Sequence, residues 1–341
     1  MKYSCLILIS LMLYSCKGKT SEIHPSFYYW KTNFEFSEQD SILLAENQVE
    51  KLYVRFFDLD NSSYYWRELE PTGRLRQSQK FPSTLEIVPV VYIDNNALDN
   101  TQAEKMGEYA EKTYAKIIRM HHRQSQSPLR ELQFDCDWNN STRDKYFYFL
   151  KEIRKLNPGL KLSSTIRLYQ YKYPEKSGIP PVDKGVLMYY NMSDLRKSGT
   201  KNHILDHEEG SLYLNTNEEY PIPLDIALPI YSQGVEYDQE EFFGLIRGEE
   251  MEKMINNGNL VPINTNEYKI ENNFGNEHIP EYRIGNTIRY ETVNPSTLKK
   301  AAAELAKQFP ESQVIFFDLQ AMNYKNYSSH YFHEIQNLFI Q

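Results

Sequence analysis

The stretch Leu132-Gln133-Phe134-Asp135-Cys136-Asp137-Trp138-Asn139 has the composition of a buried β-strand that ends in two carboxylates. Because successive side chains of a strand point to opposite faces, Asp135 and Asp137 share one face, and Phe134 and Cys136 share the other. Two neighbouring acids carry a cost in desolvation and mutual repulsion. A fold accommodates that cost where a strand opens into a polar site, and we therefore predict such a site at Asp135 and Asp137.

The elements that would position these acids alternate along the chain. We predict β-strands over residues 26–30, 51–57, 86–93, 131–137, 161–166, 185–190, 223–229 and 313–318. Helices are predicted over 101–122, with Thr101 as the cap, over 142–156 and over 295–309. Alternation of eight strands with helices predicts a single α/β domain, a (β/α)8 TIM barrel, over residues 25–341. An open doubly wound sheet is the alternative, but no Gly-rich phosphate loop follows the first strand.

One long segment does not fit the repeat. Residues 231–294 are polar and rich in Asn and Glu. Within them, residues 242–246 and 282–290 are possible local elements. We therefore predict a long insertion after strand seven, at about residues 232–294, on or beside the catalytic face of the barrel.

The carboxyl ends of barrel strands converge at one mouth, so the residues that follow the predicted strands are expected to meet there. Those residues are Asp58, Asp94, Asp135, Asp137, Arg167, Tyr189, Tyr190, Asn191, Tyr231, Asp318 and Gln320. Acids surrounded by aromatic rings are typical of a carbohydrate site, because rings stack on sugars and carboxylates bind hydroxyls. Glycoside hydrolysis needs two carboxyl groups, or one carboxyl group and help from the substrate. The sequence therefore predicts a carbohydrate partner.

The motif Leu132-x-x-Asp135-x-Asp137-x-Asn139 resembles the Asp-x-x-Asp-x-Asp-x-Glu of the fourth strand in family 18 glycoside hydrolases, the chitinases and endo-N-acetylglucosaminidases. Met188-Tyr189-Tyr190-Asn191 resembles that family's sixth-strand Met-x-Tyr-Asp, and Ala227-Leu228-Pro229-Ile230-Tyr231 is similar to its seventh strand. The whole pattern resembles still more closely an uncharacterised domain family of bacterial envelope lipoproteins. The resemblance covers strands four to eight.

The resemblance implies roles for several residues. On this resemblance we predict Asp135 and Asp137 as the catalytic residues: they would orient and polarise a substrate's acetamido group, and Tyr190 would hydrogen-bond the same group. Asn191 stands where the family has Asp. The family's catalytic acid is the Glu, and Asn139 occupies its position; Asn cannot donate a proton to a leaving oxygen. The predicted substrate-binding residues are Trp138, Asn139, Arg167, Tyr190, Asn191, Tyr231 and Asp318.

Three interpretations follow from the missing Glu. In the first, the barrel binds glycans without cleaving them. In the second, an acid of the insertion supplies the proton; the candidates are Glu236, Glu240 and Glu241. In the third, Asp137 is itself the acid, with its pKa raised by Asp135. A purely structural alternative pairs the two aspartates with Arg55 or Arg167 inside the barrel. Trp138 either lines a sugar subsite or plugs the barrel rim.

The N-terminus predicts export and lipidation. Met1-Lys2 begins a short n-region, and the apolar run over residues 5–14 is too short to span a bilayer. Leu13-Tyr14-Ser15-Cys16 resembles a bacterial lipobox, so residues 1–16 are predicted as a signal peptide with Cys16 as the lipidated residue. Residues 17–24 would form a tether. The predicted location is the cell envelope, on a membrane; an ordinary secretory signal with an incidental Cys is the alternative.

Composition and spacing also bear on nucleic-acid, cofactor and metal binding. The chain has 341 residues and a net charge of -8, and this acidic balance argues against nucleic acid as a partner. We predict no cofactor and no metal site: His203 and His207 have a metal-binding spacing, but their neighbours predict a solvated loop. Cys136 is expected to be a small core residue.

The sequence as a whole predicts a lipid-anchored envelope protein with a glycoside-hydrolase-like barrel, and hydrolysis of a glycosidic bond is its leading function. A non-catalytic glycan-binding lipoprotein and a scaffold of an envelope assembly are the alternatives. A second carboxyl group within reach of Asp137 would favour the enzyme. An aromatic-lined cleft without such an acid would favour binding, and a mouth filled by its own side chains would favour the scaffold.

Overall fold

A computed structural model describes residues 22–61, 69–77, 79–198, 201–216, 219–271 and 284–340. The predicted signal peptide, Cys16 and most of the predicted tether lie outside these residues, and lipidation therefore stays a prediction. No helix in the described ranges is both long enough and apolar enough to cross a membrane.

Eight parallel strands close into a barrel in chain order. They are Ser26–Tyr29, Lys51–Asp60, Glu86–Ile93, Glu131–Cys136, Lys161–Arg167, Lys184–Met188, Leu224–Pro229 and Val314–Phe317, and we call them the first to eighth strands. The first strand closes the barrel, because Phe27 pairs with Leu52 of the second strand and with Phe316 of the eighth. The predicted (β/α)8 fold is confirmed, and each predicted strand coincides with a barrel strand to within a few residues. Among the described residues that precede the third barrel strand, three further short strands lie outside the barrel wall: Asn33–Phe34, Glu70–Thr72 and Arg76–Gln77.

The fourth strand shows how the sequence pattern orients side chains. Phe134 points to the surrounding helices, where its ring meets that of Phe149 at 5.2 Å in an edge-on contact. Gln133, one position earlier, points into the barrel and accepts a hydrogen bond from the Tyr28 hydroxyl at 2.7 Å. Because the two faces alternate, Asp135 points inward with Gln133. Cys136 is buried on the outer side, as expected of a core residue.

The helices outside the barrel differ from the prediction in two places. They cover Glu38–Glu46, Asn95–Asn100, Met106–Gln124, Arg143–Leu156, Leu168–Lys172, Pro174–Ser177, His207–Leu214, Gly248–Asn256, Pro295–Gln308, Ala321–Tyr324 and Tyr331–Asn337, with a 3-10 turn at Ala103–Lys105. Thr101 was wrongly predicted as an N-terminal cap: it ends the short helix Asn95–Asn100, and its hydroxyl donates to the Ala97 carbonyl at 2.7 Å. The predicted loop around His207 is also wrong, because Asp206 caps a helix there by accepting from the Glu209 N–H.

The N-terminal end of the barrel is closed by a buried ionic cluster. The Lys184 ammonium lies 3.3 Å from a Glu131 carboxylate oxygen and also binds Asp225. Lys51 approaches the other Glu131 oxygen at 3.2 Å, and Ser163 donates to the carboxylate at 2.7 Å. Each buried charge thus has an opposite charge beside it, which offsets the cost of its desolvation.

The segment between the seventh and eighth strands forms a small sheet with its own core. Its antiparallel strands are, in spatial order, Glu241–Arg247, Gln233–Asp238, Thr287–Glu291, Glu267–Ile270 and Leu260–Pro262. Helix Gly248–Asn256 covers one face, and the shared core contains Ile246, Met251, Met254, Leu260, Ile270 and Ile288. The predicted local elements therefore contribute strands to one sheet, although residues 282 and 283 lie outside the described ranges. We call this unit the insertion sheet.

Candidate functional site

A cavity of about 260 Å³ opens at the mouth of the barrel, where the carboxyl ends of the strands converge. Three aspartates and two arginines line it: Asp58 and Arg55 of the second strand, Asp135 and Asp137 at the end of the fourth, and Arg167 at the end of the fifth. Most of the strand-end side chains that were expected at the mouth therefore line this cavity. Asp94 and Tyr189 do not: Asp94 accepts from the Ala97 N–H and caps helix Asn95–Asn100, and the Tyr189 hydroxyl contacts His207 Nδ1.

Two of the three aspartates are engaged by arginines. The Arg167 guanidinium contacts both oxygens of Asp137, with Nη2 donating to Oδ2 at 2.6 Å and Nε donating to Oδ1. The Arg55 guanidinium binds both oxygens of Asp58 in the same bidentate way, with Nε donating to Oδ1 at 2.7 Å. Such paired contacts fix both partners in one plane. The structural alternative, in which an arginine neutralises an aspartate, therefore applies to Asp137.

Asp135 has a different environment. It is 6 % exposed, and its carboxylate accepts a hydrogen bond from the Thr165 hydroxyl at 2.7 Å. Burial, and then the charge of Asp137, raise the pKa of Asp135 to about 6, although Arg167 opposes the rise. Asp135 is therefore a carboxyl group whose pKa lies near neutrality, while the hypothesis that Asp137 is the acid stays a prediction.

An aromatic wall forms the other side of the mouth. The Phe317 ring stacks on Tyr190 with centroids 5.6 Å apart, and it meets Trp30 and Tyr231 edge-on at 5.4 and 5.7 Å. Burial raises the pKa of Tyr190 well above its usual value, so its hydroxyl keeps its proton. The Tyr231 hydroxyl donates to Asn191 Oδ1 at 2.6 Å. The wall therefore offers ring faces together with hydroxyl and amide groups.

A second cavity of about 720 Å³ adjoins the first and shares Trp30, Arg55, Tyr231 and Phe317 with it. Its far side is built by Leu245, Arg247 and other residues at the end of an insertion-sheet strand. The two cavities form one cleft between the barrel and the insertion sheet.

Asp318 lies in the second cavity rather than in the first. Its carboxylate accepts from the amides of Gln320 and Asn323, both at 2.7 Å. Burial raises the pKa of Asp318 to about 6, although those hydrogen bonds oppose the rise. The candidate acids of the insertion do not line either cavity; these are Glu236, Glu240 and Glu241.

Trp138 cannot stack on a sugar at this mouth, because it lies outside the barrel wall. Its ring stacks on Tyr146 at 5.2 Å, and its indole N–H donates to the Ser177 carbonyl at 2.8 Å. Asn139 is exposed, and its side-chain oxygen accepts from the N–H groups of Ser141 and Thr142 at the start of helix Arg143–Leu156. Both were predicted to bind substrate, and the structure places neither of them in the cleft.

The sequence prediction omitted several mouth residues. Trp30, Tyr92, Met188 and Phe317 line the first cavity, and each lies at or next to the end of a barrel strand. Strand-end position was therefore the signal that could have identified them. In the described part of the chain, no group of three His, Cys, Asp or Glu side chains is arranged to hold a metal ion.

Comparisons with known proteins give a fold and no family. A scan against protein-family models finds no match, and a search of curated proteins finds none. Among solved structures, a chitinase from Bacteroides thetaiotaomicron matches with a TM-score of 0.56 and 10 % identity, over 93 % of this chain and 97 % of that one. The family 18 chitinase ChiB of Flavobacterium johnsoniae matches with a TM-score of 0.54 and 13 % identity, over 94 % and 96 %.

A third structure, the spore cortex-lytic enzyme SleL of Bacillus cereus, matches with a TM-score of 0.55 and 13 % identity, over 94 % of this chain and 75 % of that one. At such identities the similarity shows a shared fold. This chain therefore shares the closed (β/α)8 barrel fold of these three enzymes.

Proposed function

We propose that this protein binds a carbohydrate in the cleft at the mouth of its barrel and does not cleave it. The observation that carries the proposal is how the acidic side chains at the mouth are paired. Asp58 and Asp137 are each bound by an arginine. The side chain of Asn139, which the sequence resemblance aligns with the proton donor of family 18 enzymes, accepts from backbone N–H groups at a helix start and does not line the cleft. An aromatic-lined cleft in which the paired acids are fixed is suited to recognition.

The cleft offers the groups that sugar recognition needs. The half-buried rings of Trp30 and Phe317 can contact the apolar side of pyranose rings, and the arginine–aspartate pairs present both donors and acceptors to hydroxyl groups. Tyr190 and Asp135 line the same cavity within electrostatic range of each other, and the family resemblance implies that both contact an acetamido group. The adjoining cavity of about 720 Å³ gives room for further sugar residues.

The structural neighbours support the choice of ligand. Two of them are named as chitinases and one as a spore cortex-lytic enzyme. A shared barrel does not establish a shared activity. Together with the acetamido-suited groups at the mouth, however, it makes glycans that contain N-acetylglucosamine the first class to test.

Calorimetric titration with chitin oligosaccharides, and with neutral glucose oligosaccharides for comparison, tests this proposal. Trp30→Ala should weaken binding about tenfold or more, because a buried aromatic anchor typically contributes more than ~1 kcal/mol. Tyr148→Ala is the matched control, since this tyrosine is exposed on a helix and lines neither cavity. Equal affinity of both variants would place the glycan elsewhere and overturn the proposal.

Glycosidic hydrolysis is the second candidate, and the pKa of Asp135 favours it. A carboxyl group with a pKa of about 6 can hold and release a proton near neutrality. New reducing ends that appear with the wild type and vanish with Asp135→Asn would make the protein an enzyme whose acid is Asp135. An Asp144→Asn protein, altered at an exposed acid, is the control.

We also propose that Cys16 carries lipid and anchors the protein in a bacterial envelope. The support is the order of n-region, apolar run and Cys in the sequence. Expression of the full chain in a bacterium, followed by mass measurement, should show cleavage before Cys16 and an added acyl mass. Cys16→Ala should abolish both, and a wild-type protein without the acyl mass would refute the proposal.

A further inference from the structure

A buried charged cluster joins the insertion sheet to the loop that follows the sixth strand. His203, in that loop, is 2 % exposed, and Arg289 and Glu291, on an insertion-sheet strand, are each 1 % exposed. Glu291 Oε1 lies 2.6 Å from His203 Nδ1, 3.1 Å from the His203 N–H nitrogen and 2.9 Å from Arg289 Nε. Three groups thus meet at one carboxylate oxygen.

The hydrogen bonds of His203 define two protonation states. Its Nε2 lies 2.7 Å from the Asp194 carbonyl oxygen, which can only accept, so Nε2 carries a proton. Nδ1 lies 2.6 Å from Glu291 Oε1 and 2.8 Å from Arg289 Nη2. A neutral ring accepts from Arg289 at Nδ1, whereas a protonated ring donates to Glu291. Nδ1 cannot do both at once.

The protonated ring makes the tighter junction. It adds a charge-assisted bond to Glu291, while Arg289 keeps its bonds to Glu291 and to the Lys197 carbonyl at 3.2 Å. Burial alone would raise the pKa of Glu291, but hydrogen bonds from His203 and Gln233 hold that pKa below its usual value. Glu291 is therefore ionised and can pair with the protonated ring of His203.

The other polar groups around the cluster have partners of their own and do not replace the His203–Glu291 bond. Tyr237, on the insertion sheet, lies under the Arg289 guanidinium at 5.2 Å and donates through its hydroxyl to the carbonyls of Leu195 and Lys197. The Asp194 carboxylate accepts from the Arg196 N–H, on its own loop. Tyr231 lies within electrostatic range of Glu291.

The cluster is connected to the mouth from both sides. On the loop side, the Met192 N–H donates to the His203 carbonyl at 3.0 Å, and the Asn191 N–H donates to the neighbouring Ile204 carbonyl at 3.1 Å. On the other side, Gln233 Nε2 donates to Glu291 Oε2 at 2.9 Å, two residues after Tyr231. In the cleft, the Tyr231–Asn191 hydrogen bond connects the loop to the segment that leads into the insertion sheet.

We propose that His203 is a positioning residue for the cleft, and that its protonation against Glu291 and Arg289 tightens the hold on Asn191 and Tyr231. This inference rests on the proposed carbohydrate-binding function for its consequence, namely stronger glycan binding at lower pH. The coupling of the loop to the insertion sheet is independent of any ligand.

Amide hydrogen exchange of the full chain without ligand tests the coupling directly. Between about pH 5 and about pH 8, where histidines titrate, protection of the loop N–H groups of Asn191 and Met192 should fall about tenfold after correction for the intrinsic exchange rate. His203→Gln retains a donor and an acceptor but does not titrate, and its protection should be flat across that range. His203→Ala should be unprotected throughout. His122→Gln, altered at an exposed helical position, should behave as the wild type.

The outcomes separate this inference from the proposed function. A pH-independent wild type, or a His203→Gln protein with the wild-type pH profile, would overturn the inference whatever the glycan results. If glycan is bound, His203→Gln and Glu291→Gln should each remove the same part of the pH dependence of its affinity, and the part that remains belongs to Asp135 and Asp318, whose pKa values are about 6. If no glycan binds while exchange behaves as expected, the proposed function fails and the coupling stands.

Discussion

Replacement of Asp135 by Asn should stabilise the fold in a strongly pH-dependent way. The pKa of Asp135 rises from 3.8 to about 6 because its carboxylate is buried beside Asp137. Each tenfold change in a proton dissociation constant corresponds to about 1.4 kcal/mol, so ionisation of Asp135 removes about 3 kcal/mol from the free energy of unfolding. An amide at this position is neutral and can still accept the hydrogen bond from Thr165.

The sign of the pH dependence follows from the direction of that change. The folded state holds the Asp135 proton more tightly than the unfolded chain does. The stability associated with this group is therefore complete below the usual pKa of 3.8 and is lost as the pH rises towards about 6. Asp135→Asn should exceed the wild type by about 3 kcal/mol at about pH 8, and the difference should vanish near pH ~3.

Denaturant unfolding followed by circular dichroism at several pH values measures this difference. Asp144→Asn is the control, because Asp144 is 84 % exposed and its pairing with Arg143 contributes little. A difference that stays constant with pH, or a less stable Asp135→Asn protein at high pH, would refute the account of a desolvated carboxylate at the mouth.

Three further substitutions probe the site and its frame by the same unfolding assay. Asp318→Asn should not reproduce the stabilisation. Both oxygens of Asp318 now accept from side-chain amides, and the NH2 group of an asparagine would face one of those donors instead of accepting from it. A gain of about 3 kcal/mol in the free energy of unfolding would contradict this. Asn139→Ala should cost about 1 kcal/mol through loss of the turn that starts a helix, and it should leave glycan binding unchanged; weaker binding would return this residue to the cleft. Lys184→Met should cost about 3 kcal/mol or more, because it leaves Glu131 buried with less compensation, whereas Lys155→Met, at an exposed pair, should cost under ~1 kcal/mol; equal costs would show that the ionic cluster is not stabilising.

The barrel could be predicted from the sequence because its signal is local. Alternating apolar runs identify buried strands, and the order of strands and helices leaves few topologies. The false cap at Thr101 shows where local signals mislead. Thr101 precedes a long amphipathic pattern, but Asp94 caps a separate short helix, and Thr101 ends that helix instead.

The site could be predicted in part. The convergence of Asp135, Asp137 and Arg167 follows from strand ends, whose direction the sequence pattern reveals. The raised pKa of Asp135 comes first from its burial, which depends on packing at the mouth, and the choice of Asp137 as the partner of Arg167 is a side-chain contact between two strands that has no sequence signal. The orientation of Asn139 likewise depends on how the chain turns after the fourth strand.

The insertion sheet shows a further limit. Its polar composition predicted little regular structure, yet five short strands and one helix bury a core of six apolar side chains. A β-strand with one buried face needs only alternate apolar residues, so overall polarity conceals it. The His203–Glu291 contact joins residues 88 positions apart, a separation that neither spacing nor composition reveals.

The central claim is that the cleft at the barrel mouth recognises a glycan and leaves it intact. The most direct measurement is a calorimetric titration of the full chain with a chitin oligosaccharide, followed by mass analysis of the glycan recovered from the same cell. We predict saturable binding at one site and a recovered glycan of unchanged mass. Shortened products would contradict the claim in favour of hydrolysis, and the absence of binding to every glycan tested would contradict it altogether.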